Sequence, residues 1–375
     1  MNSIYIHIPY CKSVCYYCDF HFSVSLKHKD RLLNALIAEI NSRNKYLDDT
    51  PVESIYIGGG TPSILSPQEI ERILNQIYAD FKISGNVEIT IELNPNDITQ
   101  SYLQNLSKLG INRLSIGIQS FFDDELKWMN RRHTAIDAEN SVKLSQDNGF
   151  MNINIDLLYG LPNSSNNHLA ENLKIFMNLQ IPHLSAYHLT IEPKTVFGYQ
   201  KRKGLLSEIE DDNSLDQYNV LIKEMKNCGY LHYEISNFCK DEKFSKHNLN
   251  YWNQGKYLGI GPSAHSFNGL SRRWNVSVND RYINCIEHDE IYFEEELLSE
   301  FDRFNDYILT GLRTIWGIDK SFINENFGEK FLTHLNKELL NLKYSDSLVF
   351  TNNKIILSEK GMIISDRIIS SLFLV

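Results

Sequence analysis

Six short runs rich in Ile, Leu and Val recur between residues 3 and 191: SIYIHIPY (3–10), SIYIGGG (54–60), EITIELNP (88–95), RLSIGIQSF (113–121), NINIDLLYG (152–160) and HLSAYHLTI (183–191). Between them lie amphipathic stretches at 30–46, 67–81, 99–109, 134–149 and 167–180, with a sixth at 212–229. Short apolar, β-branched runs predict strands, and a 3.6-residue apolar period predicts helices. Gly110, Gly149 and Gly229 fall where a left-handed residue closes a helix, and Pro67 and Thr99 fall near helix starts. Strand and helix in strict alternation predict a parallel sheet. Six such units predict an α/β fold, a partial (βα)6 TIM-like barrel over residues 1–230.

After residue 230 the pattern changes. Residues 231–295 include HNLNYWNQGKYLGIGPSAHSF (247–267), rich in aromatics and glycine, which reads as loops with short strands. Residues 296–375 read as helix, helix, hairpin and helix, a small winged-helix-like α+β domain. Such a domain binds DNA, docks a partner or packs on the barrel as a lid. A net charge of −10 favours the lid, because a nucleic-acid binder needs a basic face.

In β/α barrels the chemistry gathers at the C-terminal ends of the strands. Polar and glycine residues fall there in this chain: Cys11 after the first strand, Gly58 to Thr61 at the second, Glu92 and Asn94 at the third, Gln119 at the fourth, Asp156 and Gly160 at the fifth. Alternation along EITIELNP puts Glu92 on the face of Glu88 and Thr90, pointing into the barrel, where an unpaired carboxylate is costly.

The run CKSVCYYC holds Cys11, Cys15 and Cys18. Three thiolates on a [4Fe–4S] cluster leave one iron with an open position, since a full set takes four. His21, two residues beyond Cys18, leaves open a closed Cys3His zinc site instead. The same run is also compatible with incidental thiols or a disulfide. Cys228, Cys239 and Cys285 show no ligand spacing and read as packed or free thiols.

YIHIPYCKSVCYYCDF resembles the start of radical S-adenosylmethionine (SAM) enzymes. With IGGGTPS, IELNP and SIGIQSF in order, the chain from residue 4 to about 270 resembles the oxygen-independent coproporphyrinogen III oxidases and the related HemW heme chaperones. The resemblance implies a [4Fe–4S] cluster on Cys11, Cys15 and Cys18, whose fourth iron takes the amino and carboxylate groups of SAM. It implies SAM contacts from Tyr5, Gly59, Gly60, Thr61, Glu92, Gln119, Arg131 and Asp156. Two features point to the chaperone side. Phe20 stands where the oxidases carry a fourth cysteine, and HNLNYW (247–252) matches the HNxxYW motif linked to heme, with His247 as candidate iron ligand and His265 as a second. Ser263 departs from the family, which has Gly there. The resemblance further implies heme or a porphyrinogen as ligand and respiratory hemoproteins as recipients. It also implies a flavodoxin or ferredoxin as electron donor where SAM is cleaved, a homodimer, and peripheral membrane association. Oxidative decarboxylation of coproporphyrinogen is the alternative activity, and a zinc-bound scaffold a further one.

Composition adds limits. With 42% hydrophobic and 22% charged residues in 375, the chain is expected to be soluble. No apolar run reaches the ~20 residues of a membrane span. No basic stretch precedes an apolar core at the N-terminus, so a cytoplasmic, reducing location is expected.

Overall fold

The computed structural model describes residues 1–162, 164–343 and 345–374. Strands β1 (Asn2–Ile8), β2 (Val52–Gly59), β3 (Ile83–Leu93), β4 (Arg113–Gln119), β5 (Ile153–Tyr159) and β6 (His183–His188) run parallel, each paired with the next. The helices Lys29–Ser42, Pro67–Asp80, Gln100–Lys108, Ala135–Asp147, Asn166–Asn178 and Asp211–Asn227 follow them in turn. The predicted partial (βα)6 barrel is therefore present. Ser66 caps the second helix in a capping box with Glu69, and Thr99 caps the third through the Tyr102 amide. Gly110, Gly149 and Gly229 take positive φ at the predicted helix ends.

The two faces of the strands differ sharply. The outer face is apolar: Ile4, Ile6 and Ile8, Ile55 and Ile57, Ile89 and Ile91, Leu114 and Ile116, Ile153 and Ile155 are all at most 1% exposed beneath the helices. Each such side chain contributes about 1.5–3 kcal/mol on burial. The alternate residues point into the barrel and are polar: Ser3, Tyr5 and His7 on β1, Ser54 and Tyr56 on β2, Glu88, Thr90 and Glu92 on β3, Arg113 and Ser115 on β4, Asn154 and Asp156 on β5. A closed eight-stranded barrel fills this space with layers of Val, Ile and Leu. Here the register sets Ser3 beside Ser54 and Glu88, and Tyr5 beside Tyr56, Thr90 and Arg113, so the floor of the barrel is hydrogen-bonding surface.

Residues 231–295 carry short strands, as expected, and two helices that the pattern did not suggest. The strand β8 (Asn237–Cys239) adds antiparallel to β6, and β7 (Leu231–Glu234) adds antiparallel to β8. HNLNYW lies on a helix, Lys246–Trp252, capped by Ser245. Seven residues are too few to display a helical period, so the pattern alone suggested a loop. β9 (Lys256–Ile260) pairs parallel to β1, and β10 (His265–Phe267), β11 (Ser271–Asn275) and β12 (Phe293–Leu297) continue antiparallel to the sheet edge. The twelve strands form one sheet. Glu39, fully buried, ties this extension to the first helix. Its Oε1 accepts from Arg43 at 3.1 Å and Asn275 at 2.9 Å, and its Oε2 from the Gly261 amide at 2.8 Å and Tyr282 at 2.5 Å. A buried carboxylate is tolerated when its lone pairs are satisfied in this way.

Ser263 takes a left-handed backbone conformation. Its φ is +60°, in the region where a side chain costs roughly 1–2 kcal/mol and glycine costs little. Ser263→Gly is expected to raise stability by about 0.5–1 kcal/mol, read as a higher thermal midpoint. An unchanged or lower midpoint would show that the backbone there is not strained.

The C-terminal region runs helix Glu300–Leu312, β13 (Ile318–Asp319), helices Lys320–Asn326 and Glu329–Asn341, β14 (Leu348–Thr351) and β15 (Lys354–Leu357), the order of a winged helix. The single last helix expected over 362–373 is divided into Glu359–Ile363 and Ser365–Ser371. Phe304, Ile308, Leu312, Ile318, Phe331 and Ile355 give this region its own core. It docks beneath the barrel rather than over its mouth. The Ile315 amide donates to the Tyr233 carbonyl at 3.1 Å, and the Trp316 ring packs 5.7 Å from that of Phe244. Among the described residues no helix is long and apolar enough to cross a membrane.

Candidate metal and cofactor site

A cavity of about 590 Å³ opens at the C-terminal ends of the strands. Its wall takes in Cys11, Cys15, Cys18, Gly59, Gly60, Thr61, Glu92, Gln119, Arg131 and Asp156, and no described residue beyond 248. The cysteine loop leaves β1 and returns through a narrow neck. The Cys11 amide donates to the Ser23 carbonyl at 3.0 Å, and the Ser23 amide to the Pro9 carbonyl at 2.8 Å. His7, on the inner face of β1, meets the His21 carbonyl at 3.1 Å and pins the far side of the loop.

All three thiols lie on one wall. Thr61 Oγ1 lies 3.4 Å from Cys11 Sγ, and Arg131 Nη1 lies 3.3 Å from Cys15 Sγ. Burial pushes the Cys11 and Cys18 thiols up to about 11. A metal therefore displaces protons as it binds, because the thiolate is the ligand. The Cys3His zinc alternative fails on geometry. The His21 ring is turned away, with Nε2 at 2.7 Å from Asn279 Oδ1. Among the described residues no three His, Cys, Asp or Glu side chains surround one point as a single ion requires.

The 58–61 turn crowds the cysteine loop. A Cβ at Gly60 would stand 2.6 Å from the Tyr10 carbonyl oxygen and 3.0 Å from Cys11 Sγ, so only glycine fits without displacing the loop. Gly59 has φ +115° and abuts His7.

The same cavity takes in Glu92, Gln119, Arg131 and Asp156. Glu92 accepts from the Tyr56 hydroxyl at 2.8 Å and from the Gly59 amide at 3.0 Å. Burial, then the charge of Asp156, raises the Glu92 carboxyl to about 7. Burial raises Asp156 to about 6, against a hydrogen bond from Asn154 at 2.9 Å. Arg131 Nη2 donates to Asn94 Oδ1 at 2.8 Å and the Gly117 carbonyl at 2.5 Å, while its Nε is buried without a partner. Arg132, its neighbour, is exposed. Gln119 ends β4 with φ +74°, a conformation side chains other than glycine seldom adopt and one that clusters at functional sites.

Three candidate residues lie off the wall. Tyr5 sits deeper, with its hydroxyl 3.0 Å from His7 Nδ1 and its ring 6.1 Å from that of Tyr56. His247 is 2% exposed in the barrel floor, with Nδ1 at 3.0 Å from Ser54 Oγ and Nε2 at 2.9 Å from the Tyr251 hydroxyl. Both ring nitrogens are engaged, so neither is free to ligate an iron. His265 is exposed and stacks on Trp274 at 6.3 Å. Sequence reasoning missed Tyr17, Tyr56 and Arg113, all on the wall. Alternation with Ile55 and Ile57 marks Tyr56, and alternation from Gln119 marks Arg113, as inward-facing, and that signal was available.

Comparison with known proteins fixes the kinship. The Radical SAM superfamily model matches residues 5–175. A protein of Bacillus subtilis (strain 168), heme chaperone HemW, is 32% identical over 371 residues, 98% of each chain. The chain belongs to the HemW heme chaperone family. Another HemW, from Lactococcus lactis subsp. lactis (strain IL1403), is 33% identical over 100% of this chain and 97% of its own. Among solved structures, coproporphyrinogen III oxidase (HemN) from Escherichia coli, a radical SAM enzyme, superposes with a TM-score of 0.86 at 25% identity, covering 99% of this chain and 90% of that one.

Membership in a radical SAM family implies an iron–sulfur cluster and SAM, and the cavity fits both. Three thiols and two carboxylates, whose pKa values burial raises, line the same cavity. SAM would bring its sulfonium cation to this cavity, and an opposite charge within ~4–6 Å would favour the ionised carboxylates.

Proposed function

We propose that the chain is a HemW-type heme chaperone that binds heme, a [4Fe–4S] cluster and SAM and delivers heme to respiratory hemoproteins. The observation that carries the reading is one cavity that gathers three thiols, a glycine turn and two buried carboxylates. The end-to-end similarity to HemW proteins supports the heme part.

In this reading Cys11, Cys15 and Cys18 hold three irons and leave the fourth open. The turn at Gly59, Gly60 and Thr61 offers bare backbone to the methionine end of SAM. Arg131, buried and planar, suits its carboxylate, Glu92 and Gln119 take its polar groups, and Asp156 takes ribose hydroxyls. Tyr5 supports this layer from beneath, through the Tyr56 ring. The cluster supplies one-electron chemistry to SAM when both are bound. The chain works in the reducing cytoplasm as a homodimer that meets its recipients at the membrane surface. A flavodoxin or ferredoxin serves as reductant where SAM is cleaved.

The oxidase reading shares the fold but not one position. Phe20, where oxidases carry a further cysteine, is 74% exposed on the cavity rim. Anaerobically reconstituted protein is expected to bind heme with a shifted Soret band and pass it to an apo-hemoprotein, with no conversion of coproporphyrinogen III. Turnover of coproporphyrinogen III would replace the chaperone reading with the oxidase.

A further inference from the structure

The helix Lys246–Trp252 closes the barrel from below, and its first residues reach the inner face of the sheet. Asn250 bonds Ser3 Oγ at 2.7 Å, the His247 amide faces Glu88 Oε1 at 3.4 Å, and Asn248 lines the cavity itself. The His247 ring, held at both nitrogens, lies 5.0 Å from the Tyr56 ring at an interplanar angle of 31°. Tyr56 stands one layer higher. Its hydroxyl donates to Glu92 Oε1 at 2.8 Å, and the second oxygen of Glu92 accepts the Gly59 amide at 3.0 Å. Three contacts thus join the motif helix to the Glu92 carboxylate and to the turn beside the cysteines. Such a chain of packed rings and hydrogen bonds holds its end group to a fraction of an ångström only while each member is in place.

We infer that His247 is a positioning residue of the SAM cavity: its ring fixes Tyr56, and Tyr56 fixes Glu92 and the Gly59 turn. The inference rests on reading this cavity as the SAM site. It gives HNLNYW a role that needs no bond from His247 to heme iron. The imidazole is neutral here, because burial lowers it to about 3, so it acts as a shaped wedge with one donor and one acceptor. Alanine at 247 leaves Ser54 and Tyr251 without their partner and opens space under Tyr56.

The test uses the full chain, reconstituted anaerobically, as wild type, His247→Ala, Tyr56→Phe and the double variant. SAM affinity is read by equilibrium dialysis, heme affinity by Soret titration, and the cluster by iron content and by the change in its reduced electron paramagnetic resonance spectrum on adding SAM. Tyr56→Phe keeps the ring and its packing, so it answers the question even if His247→Ala folds poorly. Each single change is expected to weaken SAM binding about tenfold, the size of one lost hydrogen bond to a charged group. The double variant is expected to lose no more than about twofold beyond either single, because both act along one path. Iron content stays at the wild-type level, the spectral response to SAM is blunted, and Tyr56→Phe titrates heme normally. SAM affinities within twofold of wild type in both single variants, or losses that multiply in the double, overturn the inference. A His247→Ala protein that keeps SAM but loses the heme Soret shift does so as well. Wild type failing to bind SAM at all sinks the reading of the cavity instead.

Discussion

Replacing Cys11, Cys15 or Cys18 singly by serine is expected to strip essentially all stable iron and sulfide from anaerobically prepared protein. No fourth cysteine stands by to compensate. Cys228, Cys239 and Cys285 lie outside the cavity wall, and Cys239 and Cys285 are buried. A hydroxyl with a far higher pKa than a thiol cannot supply the missing anion. The loop itself should survive, since its neck is made by backbone bonds between Pro9, Cys11 and Ser23 rather than by the thiols. Metal-free stability should therefore change by no more than about 1 kcal/mol, as expected where no core contact is lost. Iron and sulfide analysis, visible absorbance and a thermal melt check the two parts separately. A brown, iron-loaded serine variant would show that these thiols are not the ligands.

Glu92→Gln is expected to weaken SAM binding by about 2–3 kcal/mol, roughly 30- to 150-fold, the range of a hydrogen bond to a charged group in a site closed to water. The pH dependence follows from the same carboxyl. Glu92 titrates at about 7 and Asp156 at about 6, and a cationic ligand prefers both ionised. Affinity should climb as pH rises from 5 to 8, and Glu92→Gln should flatten most of that slope. Stability of the ligand-free protein runs the other way. Both folded values exceed the ordinary 4.5 and 3.8, so the native state holds protons that the unfolded chain has released. Their contribution is fully present below about pH 4 and is lost as pH rises through 6 and then 7. Binding titrations and melts across that window test both slopes, and a flat affinity profile in wild type would remove Glu92 from contact with the cation.

Most of the barrel was legible in the chain because its physics is local. Ile4, Ile6 and Ile8 alternate with Ser3, Tyr5 and His7 without interruption, and such a two-faced strand has few other places to lie. Glu92 and Asp156 declared themselves as carboxylates in otherwise apolar runs. The floor of the barrel was not legible. His247 meets Ser54 across 193 residues of chain, on a helix too short to show its period. An aromatic motif read alone suggests a flat ligand, while the folded chain supplies Tyr56 and Tyr251 as its neighbours. The place of β9 escaped for a related reason: short strands were expected over 247–267, but nothing within KYLGI says that it will pair with β1.

The outermost strand, β12, reads FEEEL, with Glu294, Glu295 and Glu296 in succession and exposed. Unpaired strand margins invite sister molecules to stack, and rows of like charge discourage it. Two subunits meeting there head to tail would press three carboxylates from each against the other. Pairing of two copies along this edge is therefore disfavoured, and neutralising those three glutamates should turn a well-behaved solution into one prone to fibrous precipitation.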